Sequence, residues 1–224
     1  MISEHNKPAI SDHNKRGGTP LHTRAYEIEA YVEDETHFRL IGVLKDVRPD
    51  GLWGVDDPNP LTMHHMFIEL VIDAQTLAIT VVETKMLAHP QEQCPLILPV
   101  FQQLVGISIA RGFSNKVKEL FGGPRACTHF GALLNAMAPV AMQTLWAFFH
   151  SVTEPGVEED AQARAAGMRA GLERNRDTCH VWATDGPMFT SIAAGEPRHM
   201  MLSMRRRLEE LGVDPDEYEQ RMQI

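Results

Sequence analysis

A thiol and an imidazole stand two residues apart in Gly122-Gly123-Pro124-Arg125-Ala126-Cys127-Thr128-His129, directly before a long apolar run. Thr128 is a good N-cap. Phe130, Leu133, Leu134, Met137, Ala141, Leu145 and Phe148 recur at three- and four-residue spacing, which predicts a helix from His129 to about Ser151. In its first turn the helix dipole favours thiolate and disfavours imidazolium, so Cys127 would be the more acidic and His129 would stay neutral and basic. A capped loop with a half-buried, hydrogen-bonded histidine is the ordinary alternative.

Other chemistry-bearing residues fall on candidate strands. His64 and His65 are adjacent, so their side chains should take opposite faces, leaving one inward acid or base. Glu83 and Lys85 alternate with Ile79 and Val81, which predicts that both charges project from the apolar face. They would form an ion pair at the sheet rim or line a cavity. Arg24 and Tyr26 share a strand face, where a cation would make the phenol a better proton donor. Trp53, Phe67 and Met66 would supply apolar walls or simply core. Cys127, His129, Cys179 and His180, with Cys94, are soft enough ligands for zinc. No CxxC or HExxH spacing supports that reading, and no phosphate loop, dinucleotide fingerprint or nucleophile elbow is present.

The elements that must hold these residues change character at mid-chain. Strands are predicted at Arg24 to Val32, Phe38 to Lys45, Met66 to Asp73 and Leu77 to Met86, with a Gly-, Asp- and Pro-rich loop from Asp50 to Pro60. Four strands without intervening helices imply an antiparallel sheet. Helices are predicted at Pro99 to Ala110, Ser114 to Phe121, His129 to Ser151, where Pro139 would introduce a kink, Ala161 to Arg176, and Arg198 to Leu211. Glu154-Pro155-Gly156 ends the long helix, and Cys179 to Ala183 would be a strand or a short extended piece. The expected fold is α+β, an antiparallel sheet from the N-terminal half packed against a C-terminal set of helices. Residues 1–20 read as a disordered arm and residues 21–224 as a single domain.

The 224 residues carry 21 Lys plus Arg against 30 Asp plus Glu, a net charge of -9 that argues against nucleic-acid or anionic-membrane partners. Three scattered cysteines suit a reducing cytoplasm rather than a disulfide framework. No run reads as a membrane span, the Arg205-Arg206-Arg207 triplet reads as a solvated helix face, and the last amphipathic helix permits a homo-oligomer.

Arg24-x-Tyr26, His64-x-Met66, Glu83 with Pro90 and Cys94, Leu104-x-Gly106, Arg111-Gly112-Phe113, Gly122-Gly123, Cys127-Thr128-His129 with Leu133-Leu134, and Cys179-His180 before Asp185-Gly186 resemble the bacterial family called domain of unknown function 2889. The resemblance spans roughly Leu21 to Gly186, and it departs at His65, where the family pattern implies an acidic residue. It implies breakdown of aromatic compounds, including a lyase that opens a lignin-derived phenylcoumaran and releases formaldehyde to leave a stilbene. Such a reaction needs no cofactor. On that reading His129 and His64 are the bases, with Tyr26, Glu83 and Lys85 completing the catalytic set. Arg24, Trp53, Phe67 and Cys127 would contact the small aromatic substrate. Two alternatives stand beside it: a zinc hydrolase of a small ester or ring using Cys127, His129, Cys179 or His180, and a non-catalytic binding module.

Overall fold

The computed structural model describes residues 16–18, 20–152, 161–194 and 200–222. Most of the expected N-terminal arm, the Glu154-Pro155-Gly156 stop and Arg198 lie outside the described residues. The chain divides into two units, Met1–Pro155 and Gly156–Ile224.

In the first unit β1 (Thr23–Val32), β2 (His37–Arg48), β3 (Leu61–Asp73) and β4 (Ile79–Ala88) form an antiparallel meander in the order β1-β2-β3-β4. Short turns make this order natural. Asp34 Oδ1 accepts from the Thr36 and His37 amides at 2.7 and 2.8 Å, and Asp73 Oδ1 accepts from the Thr76 amide at 2.7 Å, so an Asp closes both short hairpins. Even-numbered residues of β2 and β3 face inward: Phe38, Leu40, Leu44, Met66, Ile68, Leu70 and Ile72 are all buried.

Helix α2 (Thr128–Val152) covers that face, and α1 (Phe113–Phe121) packs against α2. The α2 stripe Phe130, Leu133, Leu134, Met137, Ala141, Leu145 and Phe148 is buried, as its spacing predicts. Each such side chain contributes roughly 1.5–3 kcal/mol of gross burial. The α+β expectation holds. Contrary to the expectation that no run could span a membrane, α2 is long and apolar enough to do so by length and composition, but its inner stripe is part of this core.

The segment expected as a helix from Pro99 to Ala110 is instead a 3-10 helix at Cys94–Leu104 followed by an extended piece. Pro99 lacks an amide proton, and Gly106 takes a left-handed φ of 84° that stops the helix. Beyond it, Ile107 accepts from the Ile79 amide at 2.9 Å, and Ala78 and Ser108 form a bridge at the start of β4.

The second unit contains α3 (Ala161–Asn175), α4 (Pro187–Ala193), α5 (Leu202–Glu210) and α6 (Pro215–Met222). His180–Trp182 is a 3-10 turn, not the strand or extended piece expected there. In the Arg205-Arg206-Arg207 triplet, Arg205 pairs with Asp216 at 2.6 Å and Arg207 with Glu210 at 2.9 Å.

Gly42 is the one inward position of β2 without a side chain, and a Cβ there would lie 2.5 Å from Met137 Sδ and 3.1 Å from its Cγ. Gly42→Ala should therefore cost about 1–3 kcal/mol by overpacking. Denaturant unfolding of Gly42→Ala, Met137→Ala and the double variant should show the pair costing less than the sum of its singles.

Candidate functional site

The candidate site lies in one cross-strand row. Arg24 on β1 stands opposite Asp46 on β2, and Asp46 stands opposite His64 on β3. All three side chains belong to the inward parity, but the row sits where the apolar stripe ends. Beside it the β2–β3 register shifts, with Met63 as the extra residue of a bulge; such bulges bend the strand and re-aim its neighbours. The first turn of α2 brings His129 over the row.

Asp46 is only 1% exposed and is the hub. Arg24 grips it with two parallel bonds, Nε to Oδ1 and Nη2 to Oδ2, both 2.6 Å. His64 Nδ1 donates to Oδ2 at 3.0 Å, because an ionised carboxylate can only accept. His129 Nε2 lies 3.6 Å from the same oxygen, and His22 Nε2 lies 3.5 Å from Oδ1. On the far side of its ring, His129 Nδ1 is 3.5 Å from Cys127 Sγ. The His64 and His129 rings stack with centroids 3.8 Å apart and planes 32° from parallel.

The electrostatics follow from this packing. Burial pushes the Asp46 carboxyl up, but the bonds and charge of Arg24, then those of His64, outweigh it and hold the group at about 2. Arg24 is raised in turn, chiefly by its bonds to Asp46. Burial first, then the charges of His64 and Arg24, lowers His129 below the ordinary imidazole value. These effects favour the neutral imidazole at His129.

Asp46, His64 and His129 present three ligand atoms within 4.8 Å of one another, so the donor types fit a divalent metal. The ring geometry fits less well. Imidazoles bound to one tetrahedral ion at about 2.0–2.1 Å radiate from it with centroids roughly 5 Å apart. Here the rings stack, and Arg24 already occupies both carboxylate oxygens.

Of the residues singled out from sequence, the structure gathers Arg24, His64, His129 and Cys127. Tyr26 lies two residues along β1 on the same face, 42% exposed, and helps to raise Arg24. Glu83 and Lys85 do not face the core as expected. Ile79 pairs with Ile72 but Val81 pairs with Val71, so Thr80 is an extra residue and the facing of β4 inverts beyond it. Val82 is buried, while Glu83 and Lys85 form an exposed pair at 3.9 Å on the outer face. Phe67 shares that outer face, with Lys85 Nζ 5.4 Å from its ring centroid. Met66 is buried core beside His64. Trp53 is exposed in the loop between β2 and β3, where the Arg48 guanidinium stacks 4.1 Å above its ring. Cys179, which is exposed, and His180 belong to the second unit. The helix begins one residue earlier than predicted, and the Cys127 carbonyl accepts from the Gly131 amide at 3.1 Å, so Cys127 rather than Thr128 is the N-cap.

Sequence reasoning missed Asp46 and His22. Extending the alternation Phe38, Leu40, Gly42, Leu44 by one step would have put an acid on the core face. An acid at position 65 would have pointed away from His64, whose carboxylate comes from the neighbouring strand instead.

An α+β domain with a carboxylate-centred Arg-His-His cluster at one end of its sheet is thus the class that fold and site define. The chain belongs to the family described as protein of unknown function (DUF2889), whose match covers residues 22–143. Every residue of the cluster falls within that span, whereas Cys179-His180 and Asp185-Gly186 lie beyond it. No curated protein and no solved structure matches the chain.

Asp46→Asn should destabilise the protein by about 2–4 kcal/mol, less than for a fully buried pair because Arg24 is one-third exposed. The depressed carboxyl also sets an acid limb. Its stabilisation is complete above the unfolded-state value near pH 4 and is lost as pH falls towards about 2. Melting temperatures between pH 5 and pH 2 should fall less steeply in Asp46→Asn than in the parent protein.

Proposed function

We propose that the cluster is the acid–base centre of a cofactor-independent lyase that opens a phenylcoumaran-type aromatic dimer, releases formaldehyde and leaves a stilbene. The observation that carries this reading is a histidine fixed by a buried carboxylate and stacked on a second histidine. Asp46 holds His64 through Nδ1 and leaves Nε2 to take a proton, the arrangement by which a carboxylate orients a general base. The second base, His129, turns Nδ1 towards Cys127 and Nε2 towards Asp46.

The reaction needs two proton removals and two returns. One base takes the phenolic proton, and the electron pair expels the ring oxygen as phenoxide, giving a quinone methide. The other takes the γ-hydroxyl proton. The carbon–carbon bond to the γ carbon then breaks, formaldehyde leaves, and the electron pair forms the alkene and restores the second phenoxide. Both phenoxides recover protons, so nothing is oxidised or reduced. Tyr26 is the best-placed proton donor. Arg24, committed to Asp46, acts by holding the carboxylate. The unpaired thiols Cys94, Cys127 and Cys179 fit a cytoplasmic setting.

A zinc hydrolase of a small ester or ring is the second reading, favoured by the three ligand atoms within 4.8 Å. It moves the ligand set to Asp46, His64 and His129 and requires the two rings to splay apart. Stoichiometric zinc in the purified protein, with a melting temperature lowered by a chelator, would select it.

Purified protein incubated with a phenylcoumaran dimer should release formaldehyde and gain stilbene absorbance in equal amounts without added cofactor. His64→Ala, His129→Ala and Tyr26→Phe should each lower turnover by about a hundredfold. Near-normal rates in all three, with the fold intact, would overturn the assignment.

A further inference from the structure

Beyond proton transfer, we propose that Cys127 is a nucleophile activated by His129, and that the electrophile it takes is a small aldehyde carbonyl. Sγ of Cys127 and Nδ1 of His129 are 3.5 Å apart, and Nε2 of the same ring faces Asp46 Oδ2 at 3.6 Å. Nucleophile, base and orienting carboxylate therefore stand in sequence, the signature of an activated thiol. The carboxylate favours the tautomer with the proton on Nε2, which turns the Nδ1 lone pair towards the sulfur. Cys127 is also the N-cap of α2, which fixes its backbone beside the first turn that carries His129. Asp46 thus orients two imidazoles from opposite ring nitrogens, His64 through Nδ1 and His129 through Nε2.

The covalent step balances without a co-reactant. The thiol proton passes to Nδ1 of His129, the sulfur lone pair forms the S–C bond to the carbonyl carbon, and the C=O π pair becomes an alkoxide. The alkoxide takes the proton back, leaving a reversible thiohemiacetal. The choice of formaldehyde as the aldehyde rests on the lyase reading, whereas the reactivity of the thiol does not.

The test is a brief iodoacetamide pulse on the full chain, with alkylation of each cysteine read by peptide mass spectrometry. Cys127 is half-buried and Cys179 exposed, so accessibility alone would make Cys127 the slower. At least tenfold faster alkylation of Cys127 than of Cys179 is expected. His129→Gln should bring it to or below the Cys179 rate, and prior equilibration with formaldehyde should slow Cys127 selectively. An unmodified Cys127 no faster than Cys179 would overturn the nucleophile without any variant. So would an unchanged rate in a His129→Gln protein whose circular dichroism and melting match the parent. A fast Cys127 that formaldehyde does not protect would overturn the aldehyde. Formaldehyde release is not part of this readout, so a reactive thiol in a protein inactive on phenylcoumarans would reject the lyase and retain the nucleophile.

Discussion

A carboxylate buried to 1% exposure must be compensated or protonated, and the bidentate grip of Arg24 on Asp46 is the compensation on which the rest of the site depends. With the charge held in place, Asp46 can accept from His64 Nδ1 at 3.0 Å, and His129 Nε2 lies 3.6 Å from the same oxygen. Without it, the same histidines would be two half-buried rings free to turn. The arginine thus holds the carboxylate on which the two histidines converge.

The fold supplies this arrangement through the end of the sheet and the start of a helix. Along β2 and β3 the inward stripe is apolar until Leu44 and Met66, and the next inward residues are Asp46 and His64. Two register shifts flank that transition, with Met63 the extra residue on β3 and Leu87 the extra residue on β4. Bulges increase local twist, which opens the row away from the close-packed core while leaving its backbone tied to the ladder. Helix α2 anchors its far end through buried Leu145 and Phe148, so His129 in its first turn is set by core packing. Positions on such regular elements are held more firmly than positions on loops.

Most of the architecture was legible because alternation and helical spacing are direct consequences of burying one face. The four strands and the α2 stripe follow from apolar periodicity and the antiparallel sense from the lack of intervening helices, whereas the order of the strands was not readable. The centre of the cluster was not legible, because Asp46 breaks the periodicity that identifies the strand: ending β2 at Lys45 leaves a buried acid outside it. The error on β4 has a different cause. A strict two-residue repeat carries Ile79 inward to Glu83 and Lys85, and nothing in the residue types announces the extra Thr80 that reverses it. Gathering Arg24, His64, Cys127 and His129 required three strands and a helix to converge, which spacing along one chain does not encode. Their chemical types, and the downward shift of His129, could be read beforehand.

The position of Arg24 in the sheet carries its own consequence. Strand β1 pairs with β2 alone, whereas β2 and β3 each have two neighbours. Residues 24, 25 and 26 are exposed on that strand. Edge strands fray at free energies well below that of global unfolding. The guanidinium that keeps the central carboxylate ionised therefore rides on an edge strand of the sheet. Amide protons of β1 should exchange before those of β2, and each opening releases the Asp46 clamp for its duration. The competence of the site is then set by the local stability of one strand, and it can fail while the hydrophobic core is still fully formed.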